Sequence, residues 1–157
     1  VDRTPPPTNE DRSPWTTMNK PLTDFHGADT NGRVWTVEDL KSKTTLINIW
    51  ATWCRPCQDE LPAVQTVFDQ WKDRKDVQLL TVSVDGDFTW VARFAKRQHY
   101  TFPIIGMTSA EVDKMVGVEG IPRTWIVDST GSVRFEMAGY DRALWPKQIL
   151  QQLEALK

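Results

Sequence analysis

Cysteine and histidine are both scarce in this chain, with two of each in 157 residues. Two cysteines make no disulfide scaffold, and a chain of this length can bury enough core not to need one. Two histidines offer little to a metal. Zinc normally takes four ligands, and His26 and His99 lie in unrelated segments, where a surface or packing role explains each better than ligation. No run approaches the roughly 18 to 20 apolar residues that cross a bilayer. Neither sign of charge is in excess: the net charge of -2 gives no electrostatic footing for nucleic acid or an anionic membrane surface. No internal repeat is present, and the only biased stretch is Thr4-Pro5-Pro6-Pro7-Thr8. The first residue is Val1 rather than Met, which reads as a processed or truncated product; a removed signal peptide or membrane anchor would leave no trace here.

What is present is an ordinary globular composition, 39% hydrophobic and 25% charged. Residues 1–15 read as a flexible Pro-rich leader, fitting equally a stalk from a lost membrane anchor and a frayed terminus. Residues 16–157 read as one domain. In it, Pro21 to Trp35 reads as a short hairpin around Asn31-Gly32. Thr36 with Asp39 resembles a capping box for a short helix to about Lys41. Thr45 to Ala51 is a nearly continuous apolar run, as in a central strand covered on both faces. A helix is predicted from about Arg55 to Lys72, with Leu61, Val64, Val67, Phe68 and Trp71 on its buried side and a kink at Pro62. Val77 to Val84 is a second strand. Asp87 caps a helix to about Gln98, with Phe88, Val91, Phe94 and Ala95 inward. Phe102 to Ile105 is extended, and Ser109 to Val116 is a short helix. Strands follow at Thr124 to Val127 and Ser132 to Ala138, joined by the turn Asp128-Ser129-Thr130-Gly131. Asp141 caps a last helix to about Leu156. A hairpin, then β-α-β-α, then β-β-α implies an α/β fold with one mixed sheet flanked by helices.

The two cysteines stand three apart, Cys54 and Cys57, where the apolar strand meets the long helix. A disulfide between them closes too short a loop to restrict the unfolded chain much, so chemistry explains the pair better than stapling. The thiolate is the reactive form. Cys54 at a helix N-terminus gains from free backbone N–H groups and the helix dipole, and Arg55 adds a cation. Pro56 sits in the first turn, where a missing N–H does no harm. Together these predict a depressed pKa for Cys54. Cys57, one turn deeper, is the expected resolving thiol in an exchange that passes through a mixed disulfide. Glu60, three residues on, projects from the same side of the helix and is a candidate proton shuttle for Cys57; the alternative is a solvated helix carboxylate. Asp59 points elsewhere. A metal site with this spacing stays open at this point.

The stretch Trp50-Ala51-Thr52-Trp53-Cys54-Arg55-Pro56-Cys57 resembles the active site of the thioredoxin superfamily. Pro62 matches its helix-kinking proline, and Gly120-Ile121-Pro122-Arg123-Thr124 its cis-proline loop. The resemblance runs from about Leu22 to Leu156. Within the superfamily the chain is most similar to the TlpA/ResA-like extracytoplasmic thiol-disulfide oxidoreductases. The N-terminal hairpin, the Cys57-Gln58-Asp59-Glu60-Leu61-Pro62 run, and an inserted segment, Asp85 to Met115, between the βαβ and ββα units carry that likeness. Thioredoxin's buried aspartate is replaced by Asn48, which cannot titrate, and this favours Glu60 as the proton carrier. The resemblance implies a thioredoxin-like fold and a cis Pro122 beside the dithiol. It also implies an Ile121 backbone open to a substrate strand and an exposed Trp53 rim. Arg123 either adds positive potential there or is an exposed strand-end cation. Trp50, Trp71 and Trp125 read as core. The expected catalytic residues are therefore Cys54, Cys57 and Glu60, and the substrate contacts Trp53, Arg55, Pro56, Ile121 and Pro122, with no metal and no cofactor.

The activity so implied is exchange with protein disulfides, as a monomeric reductant in the maturation of cytochrome c or a copper site. Its location would be the bacterial periplasm or outer face of the cell membrane, and its recharging would come from a membrane electron donor of the thiol-disulfide type. Two alternatives stand beside it. A peroxiredoxin-like thiol peroxidase needs a Pro-x-x-x-Thr-x-x-Cys motif, whereas Cys54 is preceded by Ala51-Thr52-Trp53, with Ile47 seven back. A copper metallochaperone would use Cys54 and Cys57 as soft ligands but lacks an obvious third.

Overall fold

The structure, a computed structural model, describes residues 14–117, 120–140 and 145–156. Its organising strand is β4 (Thr44–Trp50), buried along all but its first residue. A strand without polar alternation needs cover on both faces, and β4 has it at the centre of a six-stranded sheet ordered β1-β8-β7-β4-β5-β6. It runs parallel to β5 (Val77–Ser83) and antiparallel to β7 (Arg123–Val127). β6 (Ile104–Gly106) extends the sheet parallel to β5, while β8 (Ser132–Ala138) and then β1 (Trp15–Pro21) extend it antiparallel on the other side. The sheet is therefore mixed, as expected.

Four helices flank it: α1 (Arg55–Trp71), α2 (Phe88–Arg97), α3 (Ser109–Val116) and α4 (Trp145–Ala155). Strand alternation sorts the core into two layers. Leu46, Trp50 and Ile126 pack with Leu61 and Val64 of α1, Val91 of α2, and Trp145 and Ile149 of α4. Ile47, Ile49, Trp125 and Val127 pack on the opposite side with Val112 and Val116 of α3 and with Trp35 and Leu40. The segment between β5 and β7 contributes α2, β6 and α3, and so adds a strand to the sheet edge.

The N-terminal hairpin is a separate two-stranded sheet, β2 (His26–Ala28) with β3 (Val34–Thr36). Asp29 organises its loop: one carboxylate oxygen accepts from the N–H groups of Asn31 and Arg33, the other from the Trp35 indole. A single 3-10 turn, Val37–Leu40, follows, with Asp39 accepting from the Thr36 N–H as the capping box predicted.

Three expectations shift. Trp15, counted with the leader from sequence, is buried and opens β1, opposite Met137; the rest of that leader through residue 13 lies outside the described residues. Pro21 ends β1 rather than opening the hairpin. β1 escapes a pattern reading because Trp15-Thr16-Thr17-Met18-Asn19-Lys20-Pro21 buries one residue; backbone pairing to β8, not a hydrophobic face, defines it. The last helix begins at Trp145, and its predicted cap, Asp141, lies outside the described residues.

Candidate active site

The strand β4 delivers the chain to the mouth of α1, where Cys54 is the N-cap, in extended backbone conformation. Its Sγ accepts a hydrogen bond from the Cys57 N–H at 3.3 Å, which satisfies one of the free donors of the first turn. The two cysteines are joined as a disulfide. Cys57 is wholly buried, and Cys54 keeps a sliver of exposure, so a partner's sulfur meets Cys54 first. Arg55 and Pro56 are exposed in the first turn, and the Trp53 side chain stands 70% exposed.

Glu60 is fully buried on the same side of α1 as Cys57. A carboxylate in apolar surroundings favours its neutral form. Burial pushes the Glu60 pKa up to about 8, and the hydrogen bond it accepts from Asn48 Nδ2 offsets this only in part. Glu60 Oε2 and Asn48 Oδ1 are buried without partners among the described residues. The Asn48 amide also lies 3.5 Å from Thr124 Oγ1, which in turn accepts from the Trp145 indole at 3.4 Å. Asn48 matters here as a donor, not only as a residue that cannot titrate. An amide inside an otherwise apolar central strand has to find a partner, and that was the available signal.

The Ile121–Pro122 peptide bond is cis. Ile121 is partly exposed and packs against the cluster that contains both cysteines; the Pro122 carbonyl accepts from the Gly139 N–H at 2.9 Å. Arg123 corrects both earlier readings. It is 1% exposed, and strand alternation turns it away from α1, where its Nη2 meets Asp113 of α3 at 3.2 Å. It is an internal tie between β7 and α3, not a surface cation at the dithiol. His26 is exposed on β2 and His99 is exposed in the turn after α2.

A second group of residues was not anticipated. Thr52, two positions before Cys54, is buried with each of its polar groups engaged. Its N–H donates to Asp85 Oδ2 at 2.9 Å and its hydroxyl to Asp85 Oδ1 at 2.6 Å. Its carbonyl accepts from Gln58 Nε2, and its Oγ1 accepts from the Trp90 indole at 3.3 Å. Ser83 donates to the same Asp85 carboxylate at 2.8 Å. These residues come from three separate segments, which spacing cannot connect.

The arrangement is a dithiol at a helix mouth, with a neutral acid behind it and a cis-proline loop packed alongside. The chain is similar to known proteins. The AhpC/TSA family matches residues 18–136. The chain is 31% identical over 134 residues to the thiol-disulfide oxidoreductase ResA of Geobacillus thermodenitrificans, covering 85% of this chain and 75% of that protein. It is similar in structure to StoA of Bacillus subtilis, at TM-score 0.67 and 26% identity over 79% of this chain and 93% of that one. A putative thiol:disulfide interchange protein DsbE of Chlorobium tepidum shares the fold at TM-score 0.73 and 21% identity, over 87% and 98% of the two chains.

Proposed function

Because the chain belongs to the AhpC/TSA family within the thioredoxin superfamily, and is a protein thiol-disulfide oxidoreductase, we propose that its Cys54–Cys57 pair works outside the cytoplasm as a reductant of protein disulfides. The proposed role is in the maturation of cytochrome c or a copper site. In the reduced protein the Cys54 thiolate attacks a substrate disulfide, forming a mixed disulfide and releasing one substrate thiolate. Glu60 in its ionised form, the minority form at neutral pH because the group titrates at about 8, takes the Cys57 proton, and the Cys57 thiolate attacks the Cys54 sulfur. This closes the Cys54–Cys57 disulfide and releases the second substrate thiolate, which takes up a proton. Two electrons pass from the dithiol to the substrate. A membrane donor of the thiol-disulfide type then reverses the change in the pair. Trp53, Arg55, Pro56 and Ile121 form the surface on which the substrate strand lies, with the buried Pro122 shaping the loop behind it and Ile121 offering backbone groups in the manner of an added strand.

The observation that carries this reading is Glu60. Burial one turn inside the dithiol pushes its pKa up to about 8. A carboxyl tuned close to the working pH can both take up and return a proton, as a reversible exchange centre requires.

The test is capture of the intermediate. Cys57→Ser should stall at the mixed disulfide and retain its protein partner on a non-reducing gel, and Cys54→Ser should retain nothing. Identifying the captured protein from the native compartment tests the maturation role. Multiple turnover by Cys57→Ser, or hydrogen peroxide consumed faster than disulfides are exchanged, would overturn the scheme.

A further inference from the structure

The four bonds on Thr52 fix more than the active-site turn; they also fix an aromatic ring at its edge. Trp90 lies in the first turn of α2, where its N–H donates to the helix cap Asp87 at 3.1 Å. Its indole N–H turns inward to Thr52 Oγ1, and the Arg97 guanidinium stands 5.1 Å from the ring centroid. The side chain nonetheless remains 43% exposed. An indole whose one donor is satisfied inward presents apolar area to solvent with little freedom left to lose. Such rigid aromatic area is effective in recognition, because binding does not have to order it. Two residues of chain span at most about 7 Å, so the Cα of Thr52, whose side chain anchors the ring, lies within that distance of the Cys54 Cα. Exposed Trp53 occupies the intervening position.

We propose that Trp90 is a specificity-determining contact for protein substrates. It would receive an apolar or aromatic side chain adjacent to the target disulfide, with Thr52 and Asp85 as the positioning residues that hold the ring in place. The inference rests on the disulfide-exchange reading of Cys54. It assigns a role to α2, which belongs to the inserted segment and does not supply either sulfur. Together with Asp85, Trp90 ties that segment to the turn carrying Cys54.

Two synthetic disulfide peptides, identical except for Phe or Ser beside the cysteine, test the proposal on the intact chain. The wild-type protein should reduce the Phe peptide with kcat/KM about tenfold higher, the size of one good aromatic contact. Trp90→Gln should bring that ratio to about one, whereas Trp90→Phe should keep most of it. The ratio is read within each variant, so a general change in dithiol reactivity cancels. Trp90→Gln keeps a helix-forming residue at a half-exposed site, and Trp90→Phe keeps the ring, which together protect the test against loss of fold. No preference in the wild type, or a preference that survives in Trp90→Gln, overturns the proposal. If neither peptide is reduced at all, the exchange reading itself fails.

Discussion

Glu60 is held under two opposing influences: burial raises its pKa and the Asn48 amide lowers it, with burial the stronger. The consequence for stability has a definite sign. The folded-state value near 8 lies above the ordinary 4.5 of an exposed glutamate. Between those values the folded protein keeps a proton that the unfolded chain has released. The stabilisation is therefore full below about pH 4.5 and is lost as pH rises towards 8. At about 1.4 kcal/mol for each unit of pKa, the loss is on the order of 5 kcal/mol. Denaturant midpoints of the oxidised protein should fall from pH 5 to pH 8, and Glu60→Gln should flatten that slope. In the same variant, turnover on protein disulfides should slow and lose its dependence on a group titrating near 8. Unchanged slopes in both measurements would reduce Glu60 to a packed side chain.

At the scale of elements, the caps account for how closely several boundaries could be anticipated from sequence. Cys54, Asp87 and Thr108 each accept a backbone N–H in the first turn of their helices, and Gly117 ends α3 in the left-handed region. The turn joining β7 to β8 is equally local. The Asp128 carboxylate is raised by burial but brought below the ordinary range overall by hydrogen bonds from Thr130, Ser132 and Arg134. Gly131 has φ +84°, and a Cβ there would lie 2.9 Å from a Val37 methyl. Gly131→Ala should therefore destabilise by about 1–2 kcal/mol. Thermal melting would show this as a drop of roughly 2–4 °C per kcal/mol for a chain of this size. What sequence left dark was non-local. β1 is defined by its pairing with β8, and the face on which Arg123 lies is set by the register of β7 against β4. The two cysteines and Glu60 share one helix and were legible by spacing. Asn48 was legible as a residue that cannot titrate but not as the donor to Glu60, and Thr52, Asp85 and Trp90, which act across segments, were not legible.

The dryness that keeps Glu60 neutral belongs to the molecule as a whole. Glu60 comes from α1, Asn48 from β4, Thr124 from β7 and Trp145 from α4; all four are buried and linked in that order by near or direct hydrogen-bond contacts. The last helix thus reaches Glu60 across the adjacent strands β7 and β4 on one face of the sheet, although it lies farthest from the dithiol in sequence. Trp145→Phe keeps an aromatic ring in the core while removing the indole N–H and part of the ring volume, and should cost about 1–3 kcal/mol with most of the pH slope retained. Trp145→Ala should cost about 3–5 kcal/mol and open a cavity at the end of this chain. Water reaching Thr124 and Asn48 would stabilise the Glu60 carboxylate, so its pKa should move down towards 4.5. The fall in stability between pH 5 and pH 8 should then become shallower in Trp145→Ala than in Trp145→Phe. Parallel slopes in the two variants would mean that α1, β4 and β7 keep Glu60 dry without α4. A difference between them would tie the proton affinity of the active site to the seating of the C-terminal helix.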